Sequence, residues 1–94
     1  MDANLLEEII GTIAEHLGLE IDEVSLDADV TGDLGADSLD IVELCDKFET
    51  RYGIEASDED IMGLSTVESV YDFVANALGV VQKSDKYNDG QISW

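Results

Sequence analysis

The residues best suited to chemistry cluster around Ser38, in the run Gly32-Asp33-Leu34-Gly35-Ala36-Asp37-Ser38-Leu39-Asp40. Gly35 allows backbone conformations that are closed to other residues, and Asp37 or Ser38 can cap a helix that begins here. The free N–H groups and the dipole at a helix N-terminus favour a phosphoryl group on the serine oxygen. No His or Lys lies nearby in the sequence to take the serine proton, so no catalytic residue is assigned. By this chemistry alone, Ser38 is either an attachment point modified by another enzyme or an ordinary capping serine.

A calcium-binding loop is the second candidate site, and it would begin at Asp27. Asp27, Asp29 and Thr31 place oxygen side chains at positions 1, 3 and 5 of an EF-hand loop, and Gly32 occupies position 6. Position 12 requires a bidentate Glu, but Ser38 stands there, and the sequence contains no second copy. We therefore predict no specific metal site. Weak divalent-cation buffering by clustered carboxylates stays open as an alternative function.

Four amphipathic or capped segments are predicted to position these residues. Apolar residues from Leu5 to Leu17 recur at helical spacing, with an Asn4–Glu7 capping box before them and Gly18 as the stop. His16, in the last turn of this helix, is interpreted as a surface or capping residue without a role. The other predicted helices run from about Ser38 to Tyr52, from Asp58 to Met62 after a Ser57–Asp60 capping pair, and from Thr66 to Leu78 after a Ser65–Glu68 pair. With no strand-like alternation, the pattern predicts an all-α fold, a small three-to-four-helix bundle.

The two segments outside these helices differ in character. Residues 19–37 contain frequent apolar side chains, which predict a long first loop that is ordered because it is pinned to the core. Residues 80–94 have no net charge and too little apolar pattern to build an element, so we predict a flexible C-terminal tail. The helical domain is therefore assigned to residues 1–79.

The charge of the chain excludes several classes of partner. The 94 residues include 23 Asp and Glu against 4 Lys and Arg, a net charge of −19, and all of this excess lies in residues 1–79. Such a chain is repelled by nucleic acid and by anionic membranes, so its expected partners are cations or basic proteins. A single cysteine, no basic leader and no membrane-length apolar run predict a soluble, cytoplasmic protein, which we expect to be a monomer.

The run Asp33-Leu34-Gly35-Ala36-Asp37-Ser38-Leu39-Asp40, followed by Val42-Glu43-Leu44, resembles the signature of the acyl carrier proteins over roughly residues 2–79. The resemblance implies a stand-alone carrier, not an enzyme, with 4′-phosphopantetheine attached to Ser38 by a phosphopantetheinyl transferase that takes it from coenzyme A. Asp37 would help to hold the magnesium ion of the transferase, and Gly35 would shape the turn. The arm would present acyl thioesters to acyl-transferring, condensing and reducing enzymes of fatty-acid, polyketide or specialised lipid biosynthesis.

The predicted second helix has two distinct faces. A helical wheel of 100° per residue places Ile41, Leu44, Cys45, Phe48 and Tyr52 on the core side, which predicts an inert, buried thiol at Cys45. Leu39 and Val42 point outward among acidic residues, so this face is predicted to dock enzymes that carry basic patches. The predicted docking residues are Asp37, Leu39, Asp40, Val42, Glu43, Asp46 and Glu49. Asp46 stands where the family commonly has an apolar residue.

Two further functions remain open from the sequence. One is a structural partner subunit that uses the same acidic face without turning over acyl groups. The other is an aminoacyl-type carrier of a dedicated pathway. A solvated helix face with two stray apolar residues is the alternative to the docking surface.

Overall fold

The structure, a computed structural model, describes residues 2–79. It contains α1 (Ala3–Leu17), a 3-10 turn (Ile21–Glu23), α2 (Ser38–Tyr52), α3 (Asp58–Met62) and α4 (Val67–Leu78). Within residues 2–79, extended pairing is limited to a single bridge between Asp29 and Thr66, so the predicted all-α bundle is confirmed. None of the helices in this range is long and apolar enough to cross a membrane. The predicted tail, residues 80–94, lies outside the described residues.

Two helix starts differ from the sequence prediction, because the caps fall on neighbouring residues. Asp2, not Asn4, caps α1, and its side chain accepts a hydrogen bond from the Leu5 N–H at 3.1 Å. Thr66, not Ser65, caps α4 and accepts from the Ser69 N–H at 3.1 Å. In both cases the capping residue is the last one with an extended backbone before the helix. The bounds of α2, and those of α3 with its Ser57–Asp60 capping box, are as predicted.

The core is formed by the apolar faces of three helices and by residues of the first loop. The buried residues of the helices are Leu5, Ile9, Ile13 and Ala14 of α1, Ile41, Leu44, Cys45 and Phe48 of α2, and Val67, Val70, Tyr71, Val74 and Ala75 of α4. Leu78, the last residue of α4, is 40% exposed, because it lies in the last turn beyond the last core residue, Ala75. Tyr52 is half-buried, and its hydroxyl reaches the surface.

Two sets of polar contacts show that α1 and α2 pack antiparallel. Glu8, in the first half of α1, accepts a hydrogen bond from the Tyr52 hydroxyl at 2.8 Å and lies 3.7 Å from the Arg51 Nε. At the opposite end, the Nε2 atom of His16 lies 3.1 Å from Asp40 Oδ1. The end of α1 is therefore held beside the start of α2, where Ser38 lies.

The first loop is anchored at the start of α4, which confirms that it is ordered. The Val67 and Glu68 N–H groups donate to the carbonyls of Ala28 and Leu26 at 3.1 and 2.9 Å. In return, the Val30 N–H donates to the Ser65 carbonyl at 2.8 Å, and the Val30 side chain is fully buried. These bonds satisfy N–H groups of α4 that have no partner within the helix.

Candidate functional site

Ser38 is the first residue of α2, and its side chain is exposed. The cap is Asp37: its Oδ1 accepts from the Asp40 N–H at 2.9 Å, while Asp40 Oδ2 accepts from the Asp37 N–H at 3.1 Å. No side-chain hydrogen bond found in residues 2–79 uses the Ser38 hydroxyl. Because Asp37 caps the helix, the hydroxyl of Ser38 is free to react at a helix N-terminus that favours a phosphoryl group.

The turn before Ser38 depends on Gly35 and Ala36. Gly35 has φ +82°, a left-handed conformation that side chains rarely adopt, and its N–H donates to the Thr31 carbonyl at 3.2 Å. Ala36 is buried, and its N–H donates to the Val30 carbonyl at 3.0 Å. The loop is thus fixed to the core two residues before Ser38, which directs the serine outward.

Asp29, which was considered as a calcium ligand, accepts hydrogen bonds from its own loop, as does the neighbouring Asp33. Asp29 Oδ1 accepts hydrogen bonds from the Gly32 N–H, the Thr31 N–H and the Thr31 hydroxyl at 3.0–3.1 Å. The Asp29 N–H in turn donates to Asp33 Oδ2 at 2.8 Å. The hydrogen bonds from the Gly32 N–H and then from the hydroxyl and N–H of Thr31 hold the pKa of Asp29 below its usual value. The loop is therefore a hydrogen-bonded turn in which these oxygens have partners within the chain.

We expect Asp29→Ala to lower the melting temperature by a few degrees at neutral pH, because it removes three hydrogen bonds that order the loop. Since the folded-state pKa is depressed, the stabilisation by Asp29 is present above the unfolded-state pKa of about 3.9 and is lost as the pH falls through the folded-state pKa. Melting curves of the wild type and the variant should therefore converge in acid. Asp72→Ala, which removes an exposed carboxylate from α4, is the control. Equal melting temperatures for wild type and Asp29→Ala at pH 7 would contradict the assignment.

His16 has a structural role that the sequence interpretation missed. Its Nε2 lies 3.1 Å from Asp40 Oδ1 and 3.3 Å from Glu43 Oε1, so it links α1 to the first turns of α2. Hydrogen bonding from the Asp37 N–H holds the pKa of Asp40 below its usual value; desolvation opposes this shift, and hydrogen bonding with His16 adds a smaller lowering effect. The one available signal was spacing, since His16 follows the buried Ile13 by three residues and so lies at the edge of the buried stripe.

The predicted docking residues lie on or beside the outer face of α2, but several of them already have hydrogen-bond or ion-pair partners within the chain. Leu39 and Val42 are 63% and 44% exposed, and Asp46 is exposed beside them. Glu49 is half-buried, and its Oε2 accepts from the Ala56 N–H at 2.7 Å, which ties α2 to the segment before α3. Asp37, Asp40 and Glu43 have the partners described above. The unengaged centre of this face is therefore Leu39, Val42 and Asp46.

Cys45 is buried against the core, as predicted. Burial, followed by the nearby carboxylates led by Glu49, raises the pKa of its thiol to about 11. The thiolate is therefore scarce at neutral pH, and Cys45 is not a reactive thiol.

Comparison with known proteins gives a family match over this region. A family described as "Phosphopantetheine attachment site" matches residues 7–74. The fold is similar to the crystal structure of an acyl carrier protein from Thermotoga maritima, with a TM-score of 0.71 and 25% identity over 82% of this chain and 89% of that one. It is also similar to the solution structure of the apo doublet acyl carrier protein from prodigiosin biosynthesis, with a TM-score of 0.70 and 22% identity over 98% of this chain. The chain spans 43% of that doublet.

The residues at the start of α2 fit a phosphodiester, because Ser38 is exposed and is the first residue of the helix, where N–H groups favour a phosphoryl group. Proteins of this family are not catalysts themselves, and they work with phosphopantetheinyl transferases and biosynthetic enzymes. From the family match and the shared fold together, the chain belongs to the phosphopantetheine-attachment family, as an acyl carrier protein whose cofactor is 4′-phosphopantetheine.

Proposed function

We propose that the protein carries acyl groups as thioesters on a 4′-phosphopantetheine arm attached to Ser38. The observation that supports this site is the exposed hydroxyl on the first residue of α2, which is left unbonded because Asp37 caps the helix. In the attachment step, the Ser38 oxygen forms a bond to the phosphorus that bears the pantetheine arm of coenzyme A. The bond from that phosphorus to the adenosine bisphosphate half breaks, and the serine proton passes to a base of the transferase. Incubation with coenzyme A and a phosphopantetheinyl transferase, followed by peptide mass spectrometry, should place one phosphopantetheine on the peptide that contains Ser38.

Asp37 is proposed to assist the transferase as well as to cap α2. Its Oδ1 accepts the Asp40 N–H, whereas no hydrogen bond in the described residues uses its Oδ2. That oxygen is available to the magnesium ion of the transferase, which prefers carboxylate ligands. Gly35 contributes through the backbone conformation of the preceding turn.

Basic partner enzymes are proposed to dock on the outer face of α2, around Leu39 and Val42. These side chains are exposed in a strongly acidic surface, and an apolar centre with a charged rim matches the anatomy of a small protein interface. Asp46 is the freest acidic group of the rim, while Asp40, Glu43 and Glu49 can contribute charge from positions fixed by their hydrogen bonds. The proposed partners are the transferase and acyl-transferring, condensing or reducing enzymes.

We expect Leu39→Ala to weaken docking about tenfold with little effect on folding, because the side chain is exposed in the free protein and buried only against a partner. Ile21→Ala is the matched control, since Ile21 is 62% exposed but lies outside α2. The measurement is the KM of the transferase for each variant, with the melting temperature recorded in parallel. A KM for Leu39→Ala equal to that of the control would argue against this docking face.

The carrier domain is proposed to comprise residues 1–79 and to act as a cytoplasmic monomer. The single cysteine of the chain supports a reducing compartment.

The proposed setting is fatty-acid, polyketide or specialised lipid biosynthesis. Mass spectrometry of the protein isolated from its own cell, analysed for the attached acyl or aminoacyl group, identifies the pathway. A stable, stoichiometric complex that forms without any acyl donor would instead indicate a structural subunit.

A further inference from the structure

Three potential metal ligands converge where the end of α1 meets the start of α2. His16 Nε2 lies 3.1 Å from Asp40 Oδ1 and 3.3 Å from Glu43 Oε1, and the three ligand atoms all lie within 4.8 Å of one another. The side chain of His16 is only 11% exposed, and that of Asp40 30%. The Glu43 side chain is 49% exposed, so the cluster has two partly shielded ligands and one that faces water.

The arrangement brings two carboxylate oxygens to a single nitrogen, so either a proton on that nitrogen or a cation must link them. When Nε2 carries a proton, it can donate a hydrogen bond to one or both carboxylate oxygens. A metal ion can take the place of that proton, because neutral imidazole is a metal ligand. Ligand atoms bound about 2.0–2.1 Å from a tetrahedral Zn²⁺ lie about 3.3 Å apart. The two distances from His16 Nε2 are close to that separation.

From this geometry we propose that His16, Asp40 and Glu43 form a binding site for one divalent transition-metal ion of the zinc type. Water would complete the coordination. One imidazole with two carboxylates suits Zn²⁺, Co²⁺ or Ni²⁺, whereas Mg²⁺ and Ca²⁺ prefer oxygen ligands alone. This site departs from the sequence prediction, in which no specific metal site was assigned and His16 had no role.

The site is partly preorganised by the fold. Asp40 uses its other oxygen, Oδ2, to accept the Asp37 N–H, which orients Oδ1 toward His16. A hydrogen bond to the second oxygen of a ligating carboxylate is the kind of outer contact that holds metal ligands in place. Asp40 and Glu43 are three residues apart and share one face of α2, opposite the last turn of α1. A bound ion would therefore link the two helices two residues after Ser38.

The test is a calorimetric titration of the untagged, unmodified 94-residue chain with Zn²⁺ alone and, separately, with Mg²⁺ alone. His16 is the only histidine in the chain, so the imidazole ¹⁵N signals report directly on this site. We expect one equivalent of Zn²⁺ to bind more tightly than Mg²⁺ and to shift the Nε2 resonance. His16→Gln and Glu43→Gln should each weaken Zn²⁺ binding by at least about tenfold, and His16→Gln should leave Mg²⁺ binding unchanged.

Asp72→Asn is the matched control for Glu43→Gln, because it removes one negative charge from an exposed position of α4. It should leave the Zn²⁺ affinity of this site unchanged. The proposal is overturned if His16→Gln binds Zn²⁺ as tightly as the wild type, if the Nε2 resonance does not move at one equivalent, or if Zn²⁺ binds no more tightly than Mg²⁺. Circular dichroism of each variant confirms that it is folded. None of these readouts depends on the attachment of phosphopantetheine.

Discussion

Ser38→Ala is expected to abolish the attachment of phosphopantetheine completely while leaving the fold intact. The variant removes the one oxygen that can form the phosphodiester, so no residual modification is expected. Stability should change by no more than about 0.5 kcal/mol, because the hydroxyl is exposed, lacks a partner in the described residues, and alanine is a good helix former. The measurement is the intact mass after incubation with coenzyme A and a transferase, compared with the wild type.

Ser57→Ala provides the matched control, because Ser57 is also a serine at the start of a helix but has the opposite role. Its hydroxyl caps α3 by accepting the Asp60 N–H at 3.1 Å. Its removal should lower the free energy of unfolding by about 1 kcal/mol and leave the modification unchanged. The two variants therefore distinguish the loss of the attachment site from the loss of a helix cap. The same mass gain on Ser38→Ala as on the wild type would place the attachment site elsewhere, and no gain on the wild type would remove the proposed function.

Phe48→Ala is expected to give the largest loss of stability, about 3–5 kcal/mol. Phe48 is 1% exposed in the centre of the core, and its ring stacks on that of Tyr52 with the centroids 6.3 Å apart. The truncation removes buried apolar contacts and leaves a cavity that neighbouring side chains can fill only in part. The free energy of unfolding of small domains is about 5–15 kcal/mol in total, and domains with a small core have values toward the lower end of that range. The variant should therefore be partly unfolded near physiological temperature.

Chemical denaturation measured by circular dichroism tests this expectation. Met62→Ala is the control, because Met62 is 84% exposed and should change the stability by less than about 0.5 kcal/mol. Phe48→Ala should also be a poorer substrate for the transferase, since the start of α2 is held in place by the packing of the rest of the helix. A midpoint for Phe48→Ala close to that of Met62→Ala would mean that Phe48 does not anchor α2.

Most of the helical framework could be predicted from local signals. Apolar spacing and terminal glycines located α1, α2 and α4, and the capping pair at Ser57 and Asp60 located the short α3. Local signals did not determine the cap position where several residues that suit a cap follow one another. Asp2 and Asn4 both suit a cap, and the backbone conformation before the helix decides between them.

The first loop shows where local signals end. Its apolar content predicted order, but the partner of Val30 could not be predicted, because the bond to the Ser65 carbonyl joins residues that are far apart in the chain. Asp29 appeared as a possible calcium ligand for a different reason: residue spacing does not show whether a carboxylate binds a cation or the N–H groups of its own turn. Only the folded turn shows its carboxylate accepting three hydrogen bonds from Thr31 and Gly32.

By itself, the sequence determined that the chain forms an acidic helical bundle with a serine at the start of a helix, because helical periodicity, capping and charge are properties of neighbouring residues. Only the tertiary structure decided which groups meet across helices. The antiparallel packing of α1 on α2 brings His16 to Asp40 and Glu43, and Glu49 accepts a hydrogen bond from the Ala56 N–H. The acidic residues of α2 therefore differ in whether they have a partner within the chain. Such contacts depend on how the loop folds back between the helices, and residue spacing does not encode that geometry.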